Sequence, residues 1–322
     1  MALPDFFVIG AAKAGTTSLY ALLDQHPQIF MPEVKEPEFF ARDDLYNAPG
    51  ALAGYEASYD GARAGQIIGE ASTIYSLSPF FPDTAARIHA HVPQARIIYV
   101  LREPVARAYS FYQQIIKNYQ NATRDYAVHR SFEEFVLPAR HAKAAPAHKV
   151  LSVYNAHLPD TPELCLAGSD YLMQIDAYLR FFPRDRILFL KFEDFVADRP
   201  AALAQITAFL GVPPLPPEIF AQAQVTRNVS STHFGKMGEE AKVESLKRRF
   251  GPAMALKSIL PTGLRQRLLN WARQLSPEST DHLPPPMSPQ TRALLQTRFA
   301  PQIDALSEQT GLDLDSWRPG PG

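Results

Sequence analysis

The segment from Phe6 to Asp24 constrains the fold of this chain more than any other. Phe6-Phe7-Val8-Ile9 is a short apolar run, Gly10-Ala11-Ala12-Lys13-Ala14-Gly15 follows it, and Thr16 to Asp24 places Leu19, Leu22 and Leu23 at helical spacing. The pattern predicts a strand, a loop of small residues and a helix. In such a unit the loop amides and the unpaired N–H groups of the first helical turn converge on one point, and that point attracts an anion. A phosphate is expected there.

The later segments repeat the alternation. Ile67-Ile68-Gly69 reads as a second short strand, and Arg96 to Leu101 carries the strongest buried-strand pattern. Pro104 suits the first turn of a helix that runs to about Asn118. Ile187 to Leu190 is another strand, followed by Glu193-Asp194 and by a helix from about Arg199 to Leu210, closed by Gly211 and Pro213. Strands alternating with helices imply an α/β fold, a P-loop-like parallel sheet flanked by helices. The stretch from Ala48 to Gly65 has no clear period. Beyond Pro217 no strand pattern is convincing; Pro284-Pro285-Pro286 makes a stiff spacer, and Ser288-Pro289 reads as N-cap and first-turn proline of a last helix ending near Gly311. With 322 residues, the chain is expected to form one domain, an α/β core over 1–217 and a mostly helical remainder over 218–322.

Composition narrows the partners. The formal net charge is −1, so there is no global basic field to recruit nucleic acid, and any anion site must be built locally. One cysteine, Cys165, excludes an internal disulfide and an all-cysteine metal site, which fits a reducing compartment. No run of about 18 apolar residues occurs. The reading is a cytoplasmic protein without a transmembrane segment; the sequence leaves its oligomeric state open.

The loop approximates a Walker A motif, but that motif requires lysine directly after the second glycine, where Thr16 stands. The strand Arg96 to Leu101 ends in Arg102, where a Mg²⁺-dependent nucleotide hydrolase would place an aspartate. No metal site is expected. A transferring sulfuryl group accounts for both departures, because it carries a single negative charge that a lysine, helix-end amides and hydroxyls can stabilise. The competing classes are a nucleotide kinase with an aberrant loop and a catalytically inactive nucleotide-binding module.

Pro4 to Leu19 resembles the 5'-phosphosulfate loop of the sulfotransferases, in particular the heparan sulfate N- and 3-O-sulfotransferase branch and its bacterial relatives. Leu101-Arg102-Glu103-Pro104-Val105-Ala106-Arg107-Ala108-Tyr109-Ser110 resembles that family's 3'-phosphate motif. The resemblance extends to His26-Pro27, Lys35-Glu36-Pro37-Glu38-Phe39-Phe40, Lys191-Phe192-Glu193-Asp194 and Gly311 to Trp317. It implies 3'-phosphoadenosine 5'-phosphosulfate as co-substrate, with Lys13, Ala14, Gly15, Thr16, Thr17 and Ser18 on the 5' side and Arg102 and Ser110 on the 3'-phosphate. Arginine suits that task because its planar fork meets phosphate through paired, charge-assisted bonds. Lys13 is also expected to stabilise the charge on the departing nucleotide.

A hydroxyl acceptor must lose its proton as the new bond forms. By resemblance to the glutamate of the glycosaminoglycan branch, Glu70 is the candidate base, in Glu70-Ala71-Ser72-Thr73-Ile74-Tyr75; the lysine that follows this glutamate in that branch is replaced by Ala71. His26, His89 and His91 are the alternatives: His26 also reads as a helix-capping residue, and His89 and His91 as a helix surface. Lys35 reads equally as a site cation and as a solvated loop charge. In the family a late loop closes over the nucleotide, and its counterpart here runs from Arg227 to Lys236, with those two residues as candidate contacts. From Gly235 to Leu275 the local charge is about +6. Leu264, Leu268, Trp271 and Leu275 recur at near-helical spacing there, with Arg265, Arg267 and Arg273 largely off that line. This amphipathic segment is expected to be a solvated face or a surface for an anionic, carbohydrate or lipid-linked acceptor, peripheral membrane contact included.

Overall fold

The computed structural model describes residues 3–78, 80–123, 128, 130–137, 162–222 and 283–319. Its centre is a five-stranded, all-parallel sheet. The strands are β1 (Phe6–Gly10), β2 (Ile29–Phe30), β3 (Ile67–Ala71), β4 (Arg96–Leu101) and β5 (Ile187–Lys191), in the spatial order β2-β3-β1-β4-β5. Register pairs Phe7 with Glu70 on one side of β1 and with Ile97 on the other, and Ile97 with Ile187. Every residue of β1 is buried, as a central parallel strand covered on both faces requires, and this is why its sequence is a continuous apolar run.

The covering helices in the first half are α1 (Thr16–Leu23), α2 (Asp43–Tyr46), α3 (Ala51–Ala57), α4 (Thr84–His91), α5 (Pro104–Thr123) and α6 (Phe132–Val136). The second half adds α7 (Pro162–Ala167), α8 (Tyr171–Leu179), α9 (Phe192–Ala197), α10 (Arg199–Leu210), α11 (Pro217–Gln222) and α12 (Pro289–Thr310). From β1 the chain builds β2 and β3 to one side, then crosses to build β4 and β5 on the other. The crevice at the carboxyl ends of β1 and β4 is therefore a topological switch point, where open α/β sheets bind ligands.

The expected strands are present, β1 and β5 one residue longer and β3 two, and β4 spans the expected residues. Two of the elements that the structure adds lack a sequence period. Strand β2 has two residues, too few for an alternation, and α3 occupies part of the featureless Ala48 to Gly65 stretch, where it buries only Tyr55. At the other end, Ser288 Oγ accepts the Thr291 N–H at 3.1 Å and caps α12, while Gly311 ends it at φ 73°. Leu295, Phe299, Ile303 and Leu306 of α12 enter the core, and Gln302 accepts the Tyr171 N–H at 3.0 Å. The basic segment from Gly235 to Leu275 lies outside the described residues.

Candidate active site

The loop between β1 and α1 sits at the switch point. Gly15, at φ 80°, is the N-cap of α1, and a Cβ there would stand 2.9 Å from the Phe192 ring. Glycine is thus required by backbone conformation and by close approach together. No side chain caps α1, and its first turn carries no acidic residue, so the N–H groups of Thr16, Thr17 and Ser18 lie at an uncapped, positive helix end. Ala14 uses its own N–H within the loop, donating to Ala11 O at 3.0 Å.

Lys13 is held with its backbone at φ 75°, uncommon for a residue with a side chain. Its Nζ donates to Gln114 Oε1 at 2.9 Å, and Gln114 Nε2 donates in turn to Asn118 Oδ1 at 2.7 Å. Burial, reinforced by the positive charges of Lys117, Arg102 and Arg107, lowers the Lys13 ammonium to a pKa of about 8; Glu36 opposes the shift. Arg102 donates to Lys13 O at 2.8 Å and lies 4.7 Å over the Phe192 ring. The Tyr171 hydroxyl donates to Arg102 O at 2.8 Å and so fixes the strand end that carries this arginine. Ser110 is half-buried on α5.

Sequence reasoning missed Arg107. It is fully buried, donates to Ser169 Oγ at 2.6 Å and to Cys165 O, and reaches Ala12 O of the phosphate loop at 3.4 Å. Among the described residues no carboxylate bonds it. Arg107, Ser110 and Gln114 follow one another at spacings of three and four, so they occupy one face of α5 beside the loop. That polar spacing on an amphipathic helix is the signal that would have found Arg107 and Gln114.

Glu70 lies inside β3 rather than at its end, because the strand continues to Ala71, and it is fully buried. Oε2 accepts from the Tyr55 hydroxyl and, at 3.2 Å, from Tyr59; Oε1 accepts from Ser72 Oγ at 2.7 Å. Burial raises the carboxyl, and the hydroxyl donors pull it back. The neighbouring loop is tied to the same strand end. Glu36 accepts from Thr73 N at 2.8 Å and from Thr73 Oγ1 at 2.7 Å, and it pairs with Lys35 at 3.0 Å. Through Thr73 and Ser72, the loop that acts on Lys13 meets the shell of Glu70.

The histidines are engaged elsewhere. His26 is buried against Pro213 O at 2.8 Å and accepts the Gln28 N–H, so it ties the turn after α1 rather than capping the helix, whose C-cap is Asp24. His89 and His91 are half-buried rather than a free helix surface: His89 packs on Phe181 and Phe182, and His91 meets the Tyr46 hydroxyl at 2.9 Å. Arg227 and Lys236 lie outside the described residues. Among the described residues no three His, Cys, Asp or Glu side chains gather as a metal site, and no helix is long and apolar enough to cross a membrane. The arrangement brings four cations, an uncapped helix start and an enclosed carboxylate to one sheet edge. That combination can hold a polyanion and accept a proton.

Comparison with known proteins gives a consistent family. A profile described as "Sulfotransferase domain" matches residues 3–249. The bifunctional heparan sulfate N-deacetylase/N-sulfotransferase 4 of Mus musculus is 30% identical over 218 residues, 66% of this chain and 23% of that protein. The heparan sulfate glucosamine 3-O-sulfotransferase 6 of Homo sapiens is 28% identical over 210 residues, 65% of this chain and 52% of that one. The match thus spans about a quarter of the first relative and half of the second. A crystal structure of a sulfotransferase from Alicyclobacillus acidocaldarius superposes with a TM-score of 0.62 at 25% identity, covering 99% of this chain and 100% of that one.

Proposed function

Because the chain belongs to the sulfotransferase domain family, we propose that it moves the sulfuryl group of 3'-phosphoadenosine 5'-phosphosulfate to a hydroxyl or amine of an acceptor. The observation that carries this reading is the position of Lys13 beside the carboxyl edge of a parallel sheet, where Arg102, Arg107 and Lys117 all act on it and Arg102 donates to its backbone oxygen. Burial, with neighbouring positive charge added to it, lowers Lys13 and Arg102, and that cost would be offset by a bound anion of multiple charge. A nucleotide with phosphates at both ends supplies it.

In this reading the bond from sulfur to the phosphate oxygen breaks as the bond from sulfur to the acceptor forms, and 3'-phosphoadenosine 5'-phosphate leaves. Lys13 and the amides at the start of α1 stabilise the charge on the departing phosphate. Arg102 and Ser110 hold the 3'-phosphate, which does not react. Glu70 takes the acceptor's proton, which requires the acceptor to enter the hydroxyl shell formed by α3 and the turn after it. No metal has a role. The names of the relatives favour a carbohydrate acceptor, and Ala71, where the resemblance to the glycosaminoglycan branch implies a lysine, leaves one cation fewer beside Glu70 to meet it. The whole chain acts as one domain, in the cytoplasm, a location compatible with the buried free thiol of Cys165.

The test is transfer itself. The sulfate donor is incubated with N-desulfated heparan oligosaccharides and a panel of small alcohols in excess chelator, and products are read by mass spectrometry. Sulfated acceptor and stoichiometric 3'-phosphoadenosine 5'-phosphate are expected; an absolute Mg²⁺ requirement with phosphoryl transfer from ATP would overturn the reading.

A further inference from the structure

Glu70 is a carboxylate with no solvent, yet its surroundings are arranged to receive charge. Three hydroxyls approach its two oxygens: Tyr55 and Tyr59 at Oε2 and Ser72 at Oε1. In the third bond Ser72 Oγ donates to Glu70 while accepting the Glu38 N–H at 3.1 Å, so the hydroxyl links the carboxylate to the neighbouring loop. Glu38 holds that amide in place with its backbone at φ 59°, one of two non-glycine residues at positive φ among the described residues, the other being Lys13. Strained backbone of this kind persists where the surroundings over-determine it.

The groups facing Glu70 can be named from each side. Tyr55 on α3 and Tyr59 just after it cover one oxygen, Tyr75 approaches from the turn after β3, and Tyr178 approaches from α8. Burial raises all four phenols above their ordinary range, so they stay neutral and serve as donors across the working pH range. The carboxylates of the adjoining loop are occupied with other partners, Glu36 with Thr73 and Lys35, and Glu38 with Arg42 at 3.6 Å. No cation is among the groups that move Glu70 most. An ionised carboxylate is acceptor-only and takes all three hydroxyl protons with no proton of its own to place, whereas the protonated form would need a further acceptor among these donors.

We propose that Tyr55, Tyr59 and Ser72 are positioning residues for the reaction: their hydroxyls keep Glu70 ionised inside the protein and set the lowest pH at which it can take the acceptor's proton. This rests on Glu70 acting as the base. The shell does with neutral dipoles what a neighbouring lysine or arginine would do with charge. A neutral shell leaves the carboxylate more basic than an ion pair would, because an ion pair depresses a carboxyl and burial raises it.

The sign follows directly. Removing a hydroxyl leaves desolvation less opposed, so the Glu70 carboxyl rises further and its ionised fraction at a given acid pH falls. In Tyr59→Phe and Ser72→Ala we expect the midpoint of Glu70 ionisation to rise by about one pH unit each, the scale of one lost charge-assisted hydrogen bond. Tyr55→Phe is the third variant. The midpoint is read without any acceptor, as the carboxylic carbonyl stretch in an infrared pH titration, assigned by its absence in Glu70→Gln. The acid limb of the turnover profile with N-desulfated heparan oligosaccharides should move up by the same amount, with rates converging on wild type at alkaline pH. An unmoved midpoint in variants that melt like wild type would overturn the proposal, as would a uniform loss of turnover with the acid limb in place. Normal turnover of Glu70→Gln would instead defeat the base assignment beneath it.

Discussion

Lys13 combines two opposed demands on one side chain. Its ammonium is buried beside Lys117, Arg102 and Arg107 and is brought to a pKa of about 8. An anion bound there favours the charged form, so donor binding must take up a proton wherever Lys13 is neutral beforehand. The dissociation constant of 3'-phosphoadenosine 5'-phosphate should therefore rise as pH climbs through about 8, by up to about tenfold per unit, and calorimetry in buffers of different ionisation enthalpy should record proton uptake. A flat profile from pH 7 to 9.5 would remove Lys13 from contact with the anion. For the empty protein the sign is reversed. A lysine whose folded pKa lies below its ordinary value costs stability as pH falls from about 10.5 to 8 and thereafter. Lys13→Met should thus raise the melting temperature of the empty protein at pH 7 while abolishing turnover. Arg102→Ala divides the affinity differently: it should weaken 3'-phosphorylated nucleotide by ten- to a hundredfold, about 1.5–3 kcal/mol, and leave the 3'-dephosphorylated nucleotide unchanged. Glu70→Gln keeps the shape and removes the base, so turnover should drop about a hundredfold or more with nucleotide binding retained.

At the scale of elements, β3 is positioned by a contact that tolerates no side chain. A Cβ on Gly69 would stand 2.2 Å from Phe6 Cζ and 2.6 Å from Met31 Sδ, both in the packed core. Gly69→Ala should cost about 1–3 kcal/mol, read as a shift of the denaturation midpoint, and should lower turnover too, because β3 carries Glu70 on the next residue. The elements legible in the sequence were those whose signal is local. Strand β4 is an unbroken buried run from Ile97 to Leu101, and α10 is bounded by Asp198 and Gly211, so each announces its own limits. Helix α3 buries one side chain and has no period to read, yet it supplies one of the three hydroxyls bonded to Glu70. The site divides in the same way. Lys13 and Arg102 follow strand ends and are visible from spacing, whereas Tyr55 and Tyr59 reach Glu70 only through tertiary packing, and Arg107 reads in the sequence as one more basic residue on a helix.

Over the whole molecule, the last described residues close back on the end of β5 and on α8. Lys191, at the end of β5, donates to Asp313 O at 2.8 Å, and the Trp317 ring lies 6.2 Å from Tyr171. Tyr171 in turn receives Gln302 from α12 at its backbone and grips both backbone polar groups of Arg102 with its hydroxyl. The nucleotide edge is therefore braced from a part of the chain about two hundred residues away in sequence. This gives the protein a timetable during synthesis. The β1 loop and Arg102 emerge early from the ribosome, but the bracing of Arg102 through Tyr171 cannot be completed until Gln302 and Trp317 have followed, so a nascent chain carries Lys13 and Arg102 long before that edge is held in place.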